Sequence, residues 1–138
     1  MFIKDADMVE IKIYYLKKKN RYIVYTEGDF RVSSLKDDEK KAYKVLSLKM
    51  KELTWGLYNQ LQEDGMIIDV QGNPQFNVKL YKENRLTKLI NEWDAVNDEE
   101  KPVTVTPAAI SHLSPDIAEA ILRAYDELSF ISEDEEGK

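Results

Sequence analysis

Val9, Ile11, Ile13 and Tyr15 alternate with Glu10, Lys12 and Tyr14, and this period of two commits the start of the chain to a half-buried strand. Lys17-Lys18-Lys19-Asn20 breaks the pattern. A second β-prone run, Tyr22-Ile23-Val24-Tyr25-Thr26, follows at hairpin distance, and Glu27-Gly28-Asp29 ends it. A two-stranded hairpin is at best marginal alone in water, so its apolar face has to rest on helices or on a partner's sheet edge.

Downstream, apolar residues recur at three- and four-residue spacing, which predicts helices to supply that cover. Ser33 or Ser34 is placed to cap a helix reaching about Leu53, with Asp37, Asp38 and Glu39 at its positive end and Ala42, Val45, Leu46, Met50 and Leu53 as its buried stripe. Thr54 caps a shorter helix from Trp55 to about Asp64, with Gly65 as a left-handed stop and Trp55 read as core. Met66 to Gly72 reads as a brief extended segment. Asn73 and Pro74 then open the longest helix, which runs to about Trp93 with Phe76, Leu80, Leu86, Leu89, Ile90 and Trp93 broadly on one side.

The acidic stretch Asp94 to Lys101 is too hydrophilic to pack, and Pro102-Val103-Thr104-Val105 reads as extended. Thr106-Pro107 opens a helix of one or two turns containing Ile110, and Ser114-Pro115 opens a longer one with the stripe Ile117, Ile121, Leu122, Tyr125 and Leu128. The predicted fold is α+β and predominantly α-helical: an N-terminal β-hairpin over about residues 8–27, then four to five helices over about 34–131. Leu57, Leu89, Ile90, Ile117, Ile121 and Leu128 are the predicted core. Residues 132–138, without a large apolar side chain, are predicted to be a disordered acidic tail.

With 138 residues, 43% of them hydrophobic and 33% charged, the chain fits one globular domain. The absence of cysteine removes disulfides, thiolate metal sites and a cysteine nucleophile. No basic stretch followed by a long apolar run opens the chain, and no window approaches a membrane span, so a cytoplasmic location is expected. The net charge of -6 is polarised, since residues 1–54 sum to +4 and residues 55–138 to -10. An acidic second half repels phosphate, which argues against a nucleic-acid partner.

No catalytic constellation stands out. His112, the single histidine, lies between two helix starts and reads as a hydrogen-bonded or exposed side chain rather than a metal ligand. The loop Asp94-Ala95-Val96-Asn97-Asp98-Glu99-Glu100 lacks the spacing of a calcium loop, and the glycines are too scattered to cradle a phosphate. Tyr14, Tyr15, Tyr22 and Tyr25 with Lys17, Lys18, Lys19 and Arg21 are raw material for a stacking surface, but cross-strand packing with edge-protecting lysines explains them better. No enzyme activity, metal or cofactor is therefore expected.

Several elements in order do resemble a known family. Leu53-Thr54-Trp55-Gly56 with Tyr58, then Arg85-Leu86 with Leu89-Ile90 and Trp93, then Pro102-Val103, Val105-Thr106-Pro107, Ile110, Leu113 and Pro115 are similar to the small tail assembly chaperones of tailed bacteriophages. The resemblance spans about residues 53–130, with Thr104-Val105 lengthening the proline segment and the N-terminal hairpin falling outside it. It implies a non-enzymatic factor in the bacterial host cytoplasm that binds the tape measure protein and helps recruit tail tube subunits. A virion structural component, such as a neck, tail completion or accessory protein, is the alternative, and a homo-oligomer is a further candidate assembly. For a binder of helical segments, Tyr58, Tyr81 and Trp93 are the candidate rim of a groove beside the long helix.

Overall fold

The computed structural model describes residues 1–129; the predicted acidic tail lies outside the described residues. In chain order the elements are β1 (Met8–Lys18), β2 (Arg21–Thr26), α1 (Glu27–Val32), α2 (Asp37–Lys41), β3 (Lys44–Lys51), α3 (Trp55–Asp64), β4 (Met66–Ile68), β5 (Pro74–Phe76), α4 (Val78–Leu89), β6 (Ile90–Trp93), α5 (Pro107–Ser111) and α6 (Pro115–Ser129). The N-terminal hairpin forms as the alternation predicts, in a register from Ile13 opposite Thr26 to Lys18 opposite Arg21. Its turn takes Lys19 into the left-handed region at φ 56°.

The predominance of helix is overturned: 41% of the structure is helical and 29% strand, and an antiparallel sheet of order β2-β1-β3-β6 organises it as a mixed α/β fold. Two predicted helices contain strands. The first reduces to the single turn of α2, and Lys44–Lys51 pairs along β1 from Met8 opposite Lys51 to Tyr15 opposite Lys44. Leu46, Leu48 and Met50 are buried between exposed Val45, Lys49 and Lys51, an alternation that serves a sheet face better than a helix stripe. Ser33 is the C-cap of α1, its hydroxyl donating to the Phe30 carbonyl at 2.9 Å, and Lys36 stands at the N-cap of α2.

The second breaks at both ends. Pro74 begins a strand, and Asn77 caps α4 by accepting the Leu80 N–H at 3.0 Å. After Leu89 the backbone turns extended, and Ile90 and Trp93 pair with Met50 and Leu48 across a bulge. Asp94 prolongs the pairing, since its Oδ1 accepts the Ser47 N–H at 2.7 Å and its own N–H donates to the Ser47 carbonyl at 3.1 Å.

Local caps form where their chemistry is unambiguous. Thr54 Oγ1 accepts the Leu57 N–H at 3.1 Å, and Thr106 Oγ1 accepts the Ala109 N–H at 3.0 Å with Pro107 in the first turn. Gly65 ends α3 at φ -82°, so the predicted left-handed stop is not formed. Its lack of a side chain serves space instead: a Cβ there would lie 2.8 Å from Phe76 Cε2 and 3.3 Å from Tyr81 Cβ.

One apolar core lies between the sheet and α6, which crosses β1 and β2. Ile11, Ile13, Leu46, Leu48 and Met50 meet Ala120, Ile121 and Tyr125, with Leu86 and Leu89 of α4 completing the cluster. The alternating sheet face and the four-residue helix stripe each present a continuous apolar surface, and burying both is the main stabilising contribution. Leu89, Ile90, Ile117 and Ile121 are core as predicted, and Leu57 is half-buried against it. Leu128, predicted as core, is instead 46% exposed and lines open clefts beside β1 with Met8, Val9 and Glu10.

The opposite face of β1 and β2 carries a smaller aromatic cluster. Phe30 of α1 stacks on Tyr14 at 4.1 Å between ring centres, and Tyr25 and Tyr43 surround it at 5.9 and 5.4 Å. Two of the hairpin tyrosines are thus spent on holding α1 and the α2 segment to the sheet, the packing role preferred over nucleic-acid stacking.

Candidate protein-binding surface

Tyr58, Tyr81 and Trp93 lie on three different elements, α3, α4 and β6. Tyr58 lies on α3 and is 41% exposed. Tyr81 is half-buried on α4, with its ring 5.1 Å from Phe76, the Arg85 guanidinium 5.6 Å above it, and Gln62 Nε2 donating to its hydroxyl at 3.5 Å. Trp93 is a strand residue whose indole N–H donates to the Val103 carbonyl at 2.7 Å, fastening the segment after the acidic turn to β6. No ring contact joins the three. A shallow apolar cleft of about 450 Å³ does lie beside α4, but its walls are Val78, Leu86, Ala118 and Leu122, and the Lys82–Glu119 ion pair at 3.0 Å borders it.

Exposed apolar side chains concentrate instead between α3 and α4. Trp55, read as core from its type, is 81% exposed on the first turn of α3. The β4–β5 hairpin that follows exposes Met66 at 44%, Ile68 at 74%, Val70 at 99% and Phe76 at 42%. Met66 pairs with Phe76, Ile67 with Gln75 and Ile68 with Pro74. The loop is tied by Asp69, whose Oδ1 accepts the N–H groups of Gln71 and Asn73 at 2.9 Å and whose Oδ2 accepts Gln75 Nε2 at 3.0 Å. Gly72 supplies the positive φ of 84° that this loop requires.

The hairpin is anchored to the body at its base. Phe76 sits over Gly65 and against Tyr81, and the Asn77 N–H donates to the Gly65 carbonyl at 2.8 Å. Beyond that anchor the strands carry their apolar side chains in water. A signal for this surface existed in the sequence, namely an apolar triplet at 66–68 followed by the turn-forming run Asp69-Val70-Gln71-Gly72-Asn73. Charge marks the same region: from 52 to 78 the chain has Glu52, Glu63, Asp64 and Asp69 and no lysine or arginine. None of the four carboxylates has an ion-pair partner among the described residues.

His112 is exposed with Nδ1 2.8 Å from the Ala108 carbonyl. Among the described residues no group of three or more histidine, aspartate or glutamate side chains is placed to hold a metal ion, and no helix is long and apolar enough to cross a membrane. Burial raises the pKa of Tyr15, helped by Tyr22 and Asp94, and burial also raises that of Tyr43, helped by Tyr25 and Glu39. No protein-family model, curated protein or solved structure matches the chain.

Proposed function

We propose that this domain is a non-enzymatic protein-binding factor, acting as a tail assembly chaperone that holds the tape measure protein of a tailed bacteriophage in the host cytoplasm. The observation that carries the binding role is the β4–β5 hairpin, where Ile68 at 74% and Val70 at 99% exposure leave apolar surface in water. A folded domain gains nothing in stability from such surface, and exposed apolar patches of this kind mark contacts with other proteins. The order of Trp55, Leu86, Trp93, Pro102 and Thr106-Pro107 supports the chaperone as the particular role, through the resemblance drawn from those residues.

Co-expression with the tape measure protein from the same genome, followed by capture through a tag on this chain, tests the proposal. A stoichiometric complex is expected, and a tape measure protein that is never captured overturns it. Mass spectrometry of purified virions separates the chaperone from a structural component. A chaperone is absent from the finished particle, whereas a fixed copy number per virion assigns the chain to the tail or neck.

A further inference from the structure

We infer that the outer edge of β4 receives an extended, apolar and cationic segment of the protein partner as a third strand. This rests on the protein-binding reading above and specifies its mode. The Asp69 N–H donates to the Asn73 carbonyl and the Asn77 N–H to the Gly65 carbonyl, so residues 65 and 69 direct their main-chain groups toward β5. Antiparallel strands alternate, and the intervening Met66 and Ile68 therefore point their N–H and C=O groups away from β5. Neither residue finds another main-chain partner among the described residues. The other edge of the hairpin is blunted, because Pro74 has no N–H to offer.

Charge selects the occupant. Glu63 and Asp64 stand just before β4 and Asp69 just after it, so carboxylates without an ion-pair partner among the described residues bracket an apolar triplet at both ends. The complementary strand has apolar residues in its centre and lysine or arginine at each end. A second copy of this chain fits poorly, since antiparallel pairing of the β4 edge with itself, Met66 opposite Ile68, brings Asp64 of one copy within one residue of the position that faces Asp69 of the other. Main-chain hydrogen bonds provide the affinity, and the flanking carboxylates provide the preference for a basic segment.

The test uses the full chain and a labelled synthetic peptide with three alternating valines between paired lysines, measured by fluorescence anisotropy. Saturable binding that weakens with added salt is expected, with at least about tenfold weaker binding when glutamates replace the lysines. N-methylation of the central valine, which blocks strand pairing without touching the protein, is expected to weaken binding at least about tenfold. Ile68→Pro removes the outward N–H together with the Ile68 side chain and is expected to do the same, whereas Ile68→Val, which keeps the N–H and a β-branched side chain, is expected to bind within about threefold of the parent chain. Equal binding of the N-methylated or the glutamate peptide overturns the inference, as does a dimer in sedimentation that Ile68→Pro dissociates. If the tape measure protein is captured while the lysine peptide fails to bind, the edge is wrong and the chaperone role stands. If the peptide binds as described and the tape measure protein is never captured, the edge stands and the chaperone role falls.

Discussion

The phenolic hydroxyl of Tyr125 donates to the main-chain carbonyl of Lys51 at 2.9 Å, joining the buried face of α6 to the end of a strand 74 residues earlier. Tyr125 is 1% exposed, so its ring fills core volume while its polar end satisfies a carbonyl at the sheet margin. Tyr125→Phe keeps the ring and removes the bond. It is expected to cost about 1–2 kcal/mol, read as a lower denaturant midpoint with an unchanged slope.

Gly65→Ala is expected to destabilise although its φ of -82° suits alanine. At such a position the substitution alone would stabilise by about 0.4–1 kcal/mol through the unfolded chain. Here the added methyl would meet Phe76 at 2.8 Å and must displace the ring that anchors the hairpin. A net loss of about 1–2 kcal/mol in chemical denaturation is expected, and a gain would show that the hairpin base is loose.

Trp55 and Trp93 are expected to behave oppositely. Trp55→Ala removes an 81% exposed ring and is expected to leave stability within about 0.5 kcal/mol while reducing capture of the tape measure protein. Trp93→Ala removes a side chain that packs on the core and holds Val103, and a loss of about 3 kcal/mol is expected. Thermal melts beside the capture assay separate the two.

Alkaline pH is expected to weaken the fold through Tyr15 and Tyr43. Both have raised pKa values, from burial first, so the folded state keeps their protons where the unfolded state, with tyrosines near the ordinary value of 10.0, begins to release them. Their contribution is complete below about pH 10 and is lost as pH rises from there through the folded values. Melting temperatures from pH 8 to 11 are expected to fall less steeply for Tyr15→Phe than for the parent chain.

The features legible in the sequence were those decided within a few residues. The alternation of Val9 to Tyr15, the Thr54 cap and the Thr106-Pro107 start each carry their own signal and form as read. Lys44–Lys51 was ambiguous because Leu46 and Met50 are four apart while Leu46, Leu48 and Met50 alternate, so the same residues fit both periods. Only pairing with β1, remote in sequence, selects the strand. Ile90 to Trp93 follow the helical stripe for the same reason, and the predicted start at Asn73-Pro74 moves to Asn77 because β5 takes residues 74–76.

The site was less legible than the fold. An apolar residue type predicts burial, so nothing in Ile68 or Trp55 alone announced exposure. Tyr58, Tyr81 and Trp93 stand out in the sequence as amphipathic aromatics; in the fold Tyr81 packs against Phe76 and Arg85, and Trp93 bonds to the Val103 carbonyl. The turn residues after Met66-Ile67-Ile68 were the available clue, and it was local.

The placement of α6 across β1 and β2 sets a timetable for biosynthesis. The strands β1, β2 and β3 leave the ribosome well before the helix that seals their apolar face. Until residues 115–129 clear the exit tunnel, the nascent chain carries a sheet without that cover, and the contacts α6 adds are long-range, as in the 74-residue separation of Lys51 and Tyr125. A stop codon or ribosomal stall before Pro115 therefore releases an aggregation-prone fragment rather than a smaller working domain.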